Sequence, residues 1–94
     1  MIPSTQDLAA AIGGWSRKTL VSCVTEAAAI ADISKDQIMS AERTKDVSQA
    51  RQGAMWLAHK RGVSTTAIAR FFRRDWKTAH YGIEQAELRW KEAQ

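Results

Sequence analysis

Residues 64–90 read STTAIARFFRRDWKTAHYGIEQAELRW, and this stretch decides the fold. Its apolar residues recur at spacings of three and four, which is the period of an α-helix that buries one face. Ser64 or Thr65 is placed to cap a first helix, and Asp75 is placed to cap a second. Two helices joined by a short basic turn at 73–74 have the outline of a helix-turn-helix. The stretch therefore predicts an all-α fold, a small helical bundle that contains a helix-turn-helix.

The second helix of this pair separates its side chains by face. The inward stripe is predicted to hold Ala79, Ile83, Ala86 and Trp90. The opposite face carries side chains that can form hydrogen bonds, namely Lys77, Thr78, Tyr81 and Gln85. Trp76 falls near the inward stripe, so its phase favours closure of the core over contact with a thymine methyl group.

Upstream, the sequence predicts three more helices, over residues 7–12, 16–31 and 47–60. Gly13-Gly14 is expected to end the first of them, and Gly62 the last. The predicted stripes are small and apolar, and comprise Leu20, Val24, Ala27 and Ala31 in one helix and Val47, Ala50, Ala54 and Leu57 in the other.

Between these helices lie a short turn and a polar connector. Ser34 is expected to cap a helical turn over residues 35–40 that buries Ile38 and Met39. Residues 41–46, Ala-Glu-Arg-Thr-Lys-Asp, form the connector. We expect residues 1–15 to be a helical N-terminal extension and residues 16–94 to be one helix-turn-helix domain.

Positive charge is concentrated in the middle of the chain. The 94 residues carry a net charge of +4, and residues 41–80 hold nine Lys and Arg against three acidic residues. The segments before and after this one are each slightly acidic. A basic footprint of this kind suits a polyanion such as nucleic acid. A solvated basic face is the alternative interpretation on charge alone.

Other function classes lack their motifs. No glycine-rich loop is followed by Lys-Ser/Thr, so a P-loop nucleotide site is excluded. Cys23, His59 and His80 are too few and too scattered for a metal site. No set of nucleophile, base and carboxylate can be recognised. We therefore expect a protein that is not an enzyme and that binds no metal, cofactor or nucleotide.

The single cysteine also bears on location. Cys23 cannot form an internal disulfide, which favours a reducing compartment. No apolar run approaches the roughly 20 residues of a membrane span, and the N-terminus does not resemble a signal peptide. The expectation is a cytoplasmic, nucleoid-associated protein without a membrane partner.

Three segments resemble the C-terminal DNA-binding domain of the bacterial replication initiator DnaA, which has a TrpR-like helix-turn-helix. Arg51-Gln52-Gly53-Ala54-Met55-Trp56-Leu57 resembles its A-R-Q-x-A-M-Y-L helix. Residues 64–72 resemble its S-L-x-x-I-G-x-x-F helix, and residues 74–81 its R-D-H-T-T-V-x-H signature. The order and spacing agree, and the likeness covers roughly residues 21–90. It implies a divergent, stand-alone copy of that domain that binds double-stranded DNA.

The resemblance also implies which residues contact DNA. An arginine in the connector, here Arg43, enters the minor groove. The start of the last helix enters the major groove, so Asp75, Trp76 and Lys77 would meet base edges. Further positions that hold the sugar-phosphate backbone in the family are Lys45, Arg51, Gln52, Ser64, Thr78 and Tyr81. Arg73 and Arg74 are predicted to contact phosphate because they form the turn beside the recognition helix, with surface charge as the alternative. Thr65 and Thr66, which replace the family's Leu-Pro, complete the residues predicted to bind DNA.

Departures from the family pattern are concentrated on this surface. The family's Gly-Gly turn has become Phe72-Arg73-Arg74 with one residue fewer, and its His-Thr has become Trp76-Lys77. The base-reading surface is therefore rebuilt, and a target different from the family's origin box is expected. Because lysine is a donor only, Lys77 in a major groove would select guanine O6 and N7.

Three functions fit these observations. The first, which we favour, is a sequence-specific transcription regulator, for which a phage-derived or gene-transfer-type activator would fit. The second is a replication-initiation factor that binds an origin site. The third is a protein-interaction module that uses the helix-turn-helix as a scaffold. A second protein could also be bound through the N-terminal helices.

Overall fold

The computed structural model describes the chain from Gly14 to Gln94, with side chains from Arg17 onward. Within this range the chain is all-α, as predicted, and contains no strand. Five helices follow one another: α1 (Gly14–Ala31), α2 (Lys35–Met39), α3 (Lys45–Lys60), α4 (Thr65–Phe72) and α5 (Trp76–Glu92). None of them has the unbroken apolar length that crossing a bilayer requires.

The predicted helix over residues 7–12 and the glycine at position 13 lie outside the described residues. Gly14 does not end a helix here, because it is the first residue of α1. That helix therefore begins two residues before its predicted start. The third predicted helix likewise begins earlier, at Lys45, so the connector shortens to residues 40–44.

The predicted N-caps are confirmed. The Ser34 hydroxyl accepts a hydrogen bond from the Gln37 amide at 3.0 Å, and Gln37 Oε1 accepts one from the Ser34 amide at 3.1 Å. Ser64 accepts from the Ala67 amide at 3.1 Å, which decides between the two candidates for the start of α4. Each cap satisfies amides that the first turn of a helix leaves unpaired, and so fixes where the helix begins.

Two left-handed residues end the helices before and within the helix-turn-helix. Gly62, with φ 94°, follows α3, and Arg73, with φ 56° and ψ 44°, follows α4. This conformation is ordinary for glycine but costs about 1 kcal/mol for a residue with a Cβ atom. In this turn Arg74 donates its amide to the Ala69 carbonyl at 2.9 Å, so the chain reaches α5 in very few residues.

The core forms around α3, which packs between α1 and α5. Most of the predicted stripe positions are buried, and the largest fully buried side chains are Phe72, Ile38, Met55, Ile68, Val47 and Cys23. Gly82 allows α3 and α5 to approach closely. A Cβ atom there would lie 3.2 Å from both Gln52 Cγ and Met55 Sδ.

Two predicted core residues are exposed. Met39 is 37% exposed because it is the last residue of a five-residue helix whose neighbour Ile38 fills the core contact. Trp90 is 44% exposed and packs instead against Trp56, with ring centroids 5.9 Å apart. It lies near the end of α5, beyond the rim of the core, so the predicted burial of both side chains is wrong.

Candidate nucleic-acid interface

A groove of about 470 Å³ lies between the connector, α3 and the start of α5, and we call it the basic groove. It is lined by three arginines and by neutral hydrogen-bonding side chains, but by no carboxylate. The side chains that face it include Arg43, Ser48, Gln52, Arg74, Thr78 and Tyr81. Five of these six are among the residues that were predicted to contact DNA, and the fold brings them together.

Ser48 was not predicted. It lies on the first turns of α3, partly buried, and nothing in the residue pattern distinguishes it from any other serine of a helix. Its place beside Gln52 follows from helical geometry, because residues four apart share a face.

Arg43 lies in the connector with an exposed side chain. Within the described residues it makes no ion pair and no hydrogen bond. The connector around it is held through neighbouring residues, with the Glu42 amide donating to the Ser40 hydroxyl at 3.1 Å and Thr44 Oγ1 to the Glu42 carboxylate at 2.8 Å. Arg43 is thus a cation on an anchored segment, without a partner among residues 17–94.

Arg51 has a structural task that its place in the sequence did not predict. It is only 7% exposed, and its guanidinium faces the carbonyls that end α2 and open the connector. Nε donates to the Ile38 carbonyl at 2.7 Å, while Nη2 donates to those of Ser40 at 2.7 Å and Glu42 at 3.1 Å. Burial, and then the nearby charge of Arg74, lower the pKa of Arg51. The nitrogens that make these bonds are unavailable to a phosphate.

Arg74 is partly committed in the same way. Its Nη1 donates to the Phe72 carbonyl at 3.1 Å and its Nη2 to the Ser40 carbonyl at 2.9 Å. The side chain still lines the basic groove. Arg73, by contrast, is exposed.

The start of α5 is fixed by Asp75. Its Oδ1 accepts a hydrogen bond from the Thr78 amide at 2.7 Å, as the predicted cap requires. Hydrogen bonds from Thr78 hold the pKa of the Asp75 carboxyl below its usual range. The carboxylate is therefore ionised and oriented along the helix. Lys77, Thr78 and Tyr81 are exposed on the first two turns, in agreement with their predicted phase.

Trp76 does not close the core, so that interpretation of its phase is wrong. It is 50% exposed, and its indole stacks on the His80 imidazole with centroids 4.8 Å apart and planes inclined by 8°. His80 Nε2 in turn lies 2.5 Å from Glu84 Oε1. Ala79 and Ile83 already fill the space beneath this turn, so the indole lies along its own helix. Trp76, His80 and Glu84 are each four residues apart, a spacing that places them on one face of α5. We call these three residues the Trp76 row.

The Trp76 row borders a second groove of about 570 Å³, which we call the aromatic groove. Thr65, at the start of α4, and Lys60, at the end of α3, also line this groove, as does Leu88 farther along α5. Thr66 is exposed on the same turn as Thr65. Thr65 therefore faces the aromatic groove, and none of Ser64, Thr65 and Thr66 lines the basic groove. Lys45 is exposed at the first residue of α3.

The comparison with known proteins agrees with this architecture. The family model for the helix-turn-helix of the bacterial DnaA protein matches residues 20–86, which is most of the chain. No curated protein and no solved structure matches the sequence of this chain significantly. The matched range runs from α1 through most of α5, and it includes the helix-turn-helix, the whole basic groove and most of the residues that line the aromatic groove. The chain therefore belongs to the bacterial DnaA helix-turn-helix family of DNA-binding domains.

Proposed function

We propose that this chain is a sequence-specific transcription regulator. In this proposal the start of α5 reads the major groove of duplex DNA and Arg43 enters the adjacent minor groove. Residues 16–94 form the DNA-binding domain, and residues 1–15 are an extension available to a second protein.

The basic groove carries the proposal. In B-DNA a sugar-phosphate backbone separates each minor groove from the neighbouring major groove. A protein that enters both must therefore straddle one backbone between its two contacts. The basic groove lies between Arg43 and the first turns of α5, and Gln52, Thr78 and Tyr81 supply hydrogen-bond donors inside it. Its lack of carboxylates suits a phosphate.

A role in regulation is supported by which residues differ from the family signature. The buried positions of α5 remain small or apolar, whereas Trp76 and Lys77, at the exposed start, differ. Such a pattern retains the scaffold and changes the sequence that is read. A domain that reads a different site from the origin box serves a different locus, which favours a regulator over a replication-initiation factor.

A salt titration of duplex binding tests the DNA contact. The exposed cations on the connector, at the start of α3 and at the start of α5 are Arg43, Lys45, Arg73 and Lys77. With three or four of them on phosphates, the logarithm of affinity should fall against the logarithm of salt with a slope of about −3 to −3.5. Fluorescence anisotropy on a duplex obtained by site selection measures this. Lys18→Ala, on the remote helix α1, is the matched control and should change neither affinity nor slope.

Mapping of the bound protein across the genome then tests the role in regulation. Sites upstream of operons are the expected result. Occupancy confined to a replication origin would instead identify a replication-initiation factor. Absence of binding to any duplex at low salt would leave the protein-interaction module as the function.

A further inference from the structure

One backbone carbonyl is shared by two arginines from different parts of the chain. Arg51 Nη2, from the middle of α3, donates to the Ser40 oxygen at 2.7 Å. Arg74 Nη2, from the turn that leads into α5, donates to the same oxygen at 2.9 Å. Ser40 is the first residue of the connector. The connector is therefore joined directly both to α3 and to the start of α5.

The bonds of Arg51 extend along the connector in both directions. Its Nε holds the Ile38 carbonyl at 2.7 Å, and its Nη2 also reaches the Glu42 carbonyl at 3.1 Å. The carbonyl of Glu42 belongs to the peptide unit that leads into Arg43. The planar guanidinium presents its donors in a rigid fork, so several carbonyls held by one side chain are fixed relative to one another.

The placement of Arg43 is a demanding one. An arginine that enters the minor groove must lie at a defined distance from the helix in the major groove, because the two grooves have a fixed spacing. The connector contains no helical hydrogen bonds of its own between residues 41 and 44. Without an external support, Arg43 would lose conformational entropy on binding, and this loss would lower the affinity.

We infer that Arg51 and Arg74 form a clamp on the Ser40 carbonyl that sets the position of Arg43 relative to α5. Both are positioning residues, acting on DNA through Arg43, in place of the phosphate contacts that their sequence positions imply. The inference rests on the proposed function, since it concerns how two DNA contacts are held in register.

A double-mutant cycle tests the clamp. Arg74→Met removes the link from α5 while keeping the length of the side chain, and Arg43→Ala removes the contact that the link serves. Arg74→Met should weaken binding about tenfold in the presence of Arg43 and very little in its absence, because coupled residues are not additive. Arg70→Met, an exposed cation on α4 without a bond to the connector, is the matched control and should have the same small effect in both backgrounds.

A second measurement changes the spacing along the duplex between the minor-groove contact of Arg43 and the major-groove contact of α5. Narrow, A·T-rich minor grooves concentrate the negative potential that attracts arginine, so the selected site should carry an A·T tract where Arg43 binds. Duplexes in which this tract is moved by one base pair should bind the wild type poorly. Arg74→Met should lose this discrimination, whereas the loss of a phosphate contact would weaken both duplexes equally.

The third measurement needs no DNA. Amide ¹⁵N relaxation of the free protein should give order parameters near about 0.85 for residues 41–44 in the wild type and below about 0.6 in Arg74→Met. An unchanged connector, or equal losses in both backgrounds of the cycle, would overturn the clamp while DNA binding stands. A wild type that binds no duplex would instead overturn the proposed function, and with it the role assigned to the clamp.

Discussion

The two flanks of α5 are held in different ways. On the side of the basic groove, Arg51 and Arg74 are bonded to backbone carbonyls at 2.7 to 3.1 Å. On the side of the aromatic groove, Trp76 is held by a stack on His80, and both rings are largely exposed. Hydrogen bonds to backbone carbonyls are directional, so they fix the position of the connector. The stack of Trp76 on His80 lies at the surface, where it orients the indole but leaves one of its faces open to another partner.

This contrast separates the constant part of the interface from its variable part. The basic groove faces a backbone that is chemically the same in every duplex, and rigid positioning suits it. The start of α5 faces base edges, which differ from site to site. We expect substitutions on the first flank to affect stability and register, and substitutions on the second to affect which sequence is bound.

The largest expected effect is on the buried side of the basic groove. Arg51→Met would remove the donor from the carbonyls of Ile38 and Glu42 and leave the Ser40 carbonyl with Arg74 alone, and it should destabilise the fold by about 3 kcal/mol. Urea unfolding followed by circular dichroism measures this. The exposed Arg70→Met should stay within about 0.5 kcal/mol of the wild type. Equal losses in the two variants would remove the contrast between the flanks.

Lys77 should have the next largest effect, and on specificity. It is exposed between the two flanks, on the turn that would enter the major groove. Lys77→Thr should lose about 1–3 kcal/mol of preference for guanine at one position and shift the selected sequence toward the family's site. Selection from randomised duplexes measures it. A uniform loss of affinity with an unchanged sequence would make Lys77 a phosphate contact.

Trp76 should contribute little to folding. Because its indole is half exposed and stacks on one neighbour, Trp76→Ala should cost less than about 1 kcal/mol of stability. Phe72→Ala, in the core beneath, should cost about 3–5 kcal/mol. Thermal unfolding of the two variants compares them. A loss at Trp76 as large as that at Phe72 would restore the interpretation of Trp76 as a core residue.

The smallest expected effect is a pH dependence at the cap of α5. The pKa of Asp75 is lowered in the folded protein, so its contribution to stability is present above the unfolded pKa and is lost as pH falls through the folded one. Asp75→Asn retains a capping side chain without the ionisation. Its stability should vary less than that of the wild type between about pH 5 and pH 2, by acid titration of the unfolding midpoint. Parallel curves would mean that the cap does not titrate in this range.

Local signals predicted the helices well. Ser34, Ser64 and Asp75 are short polar residues placed before apolar periods, and each caps the helix that it was expected to cap. The left-handed Gly62 follows from the same chemistry. These features depend on residues a few positions apart, which the sequence states directly.

Contacts between distant segments were harder to predict. The carbonyls that bind Arg51 lie 9 to 13 residues away along the chain and are invisible in any residue pattern. A basic residue on a helix is therefore assigned to solvent or to phosphate by default. The predicted burial of Trp76 and Trp90 was wrong for a related reason. Helical phase gives the direction of a side chain, but it does not show whether a neighbouring element extends far enough to cover that side chain.

The use of carbonyls as anchors has an evolutionary consequence for the connector. Every amino acid, proline included, carries a backbone carbonyl, so the hydrogen bonds that Arg51 and Arg74 donate to residues 40 and 42 do not depend on which side chains those two residues bear. Mutations at the neighbouring positions 41 and 43 can then be sampled without releasing the segment. A single substitution at position 43 could therefore change the side chain presented to the minor groove while the connector backbone keeps its position.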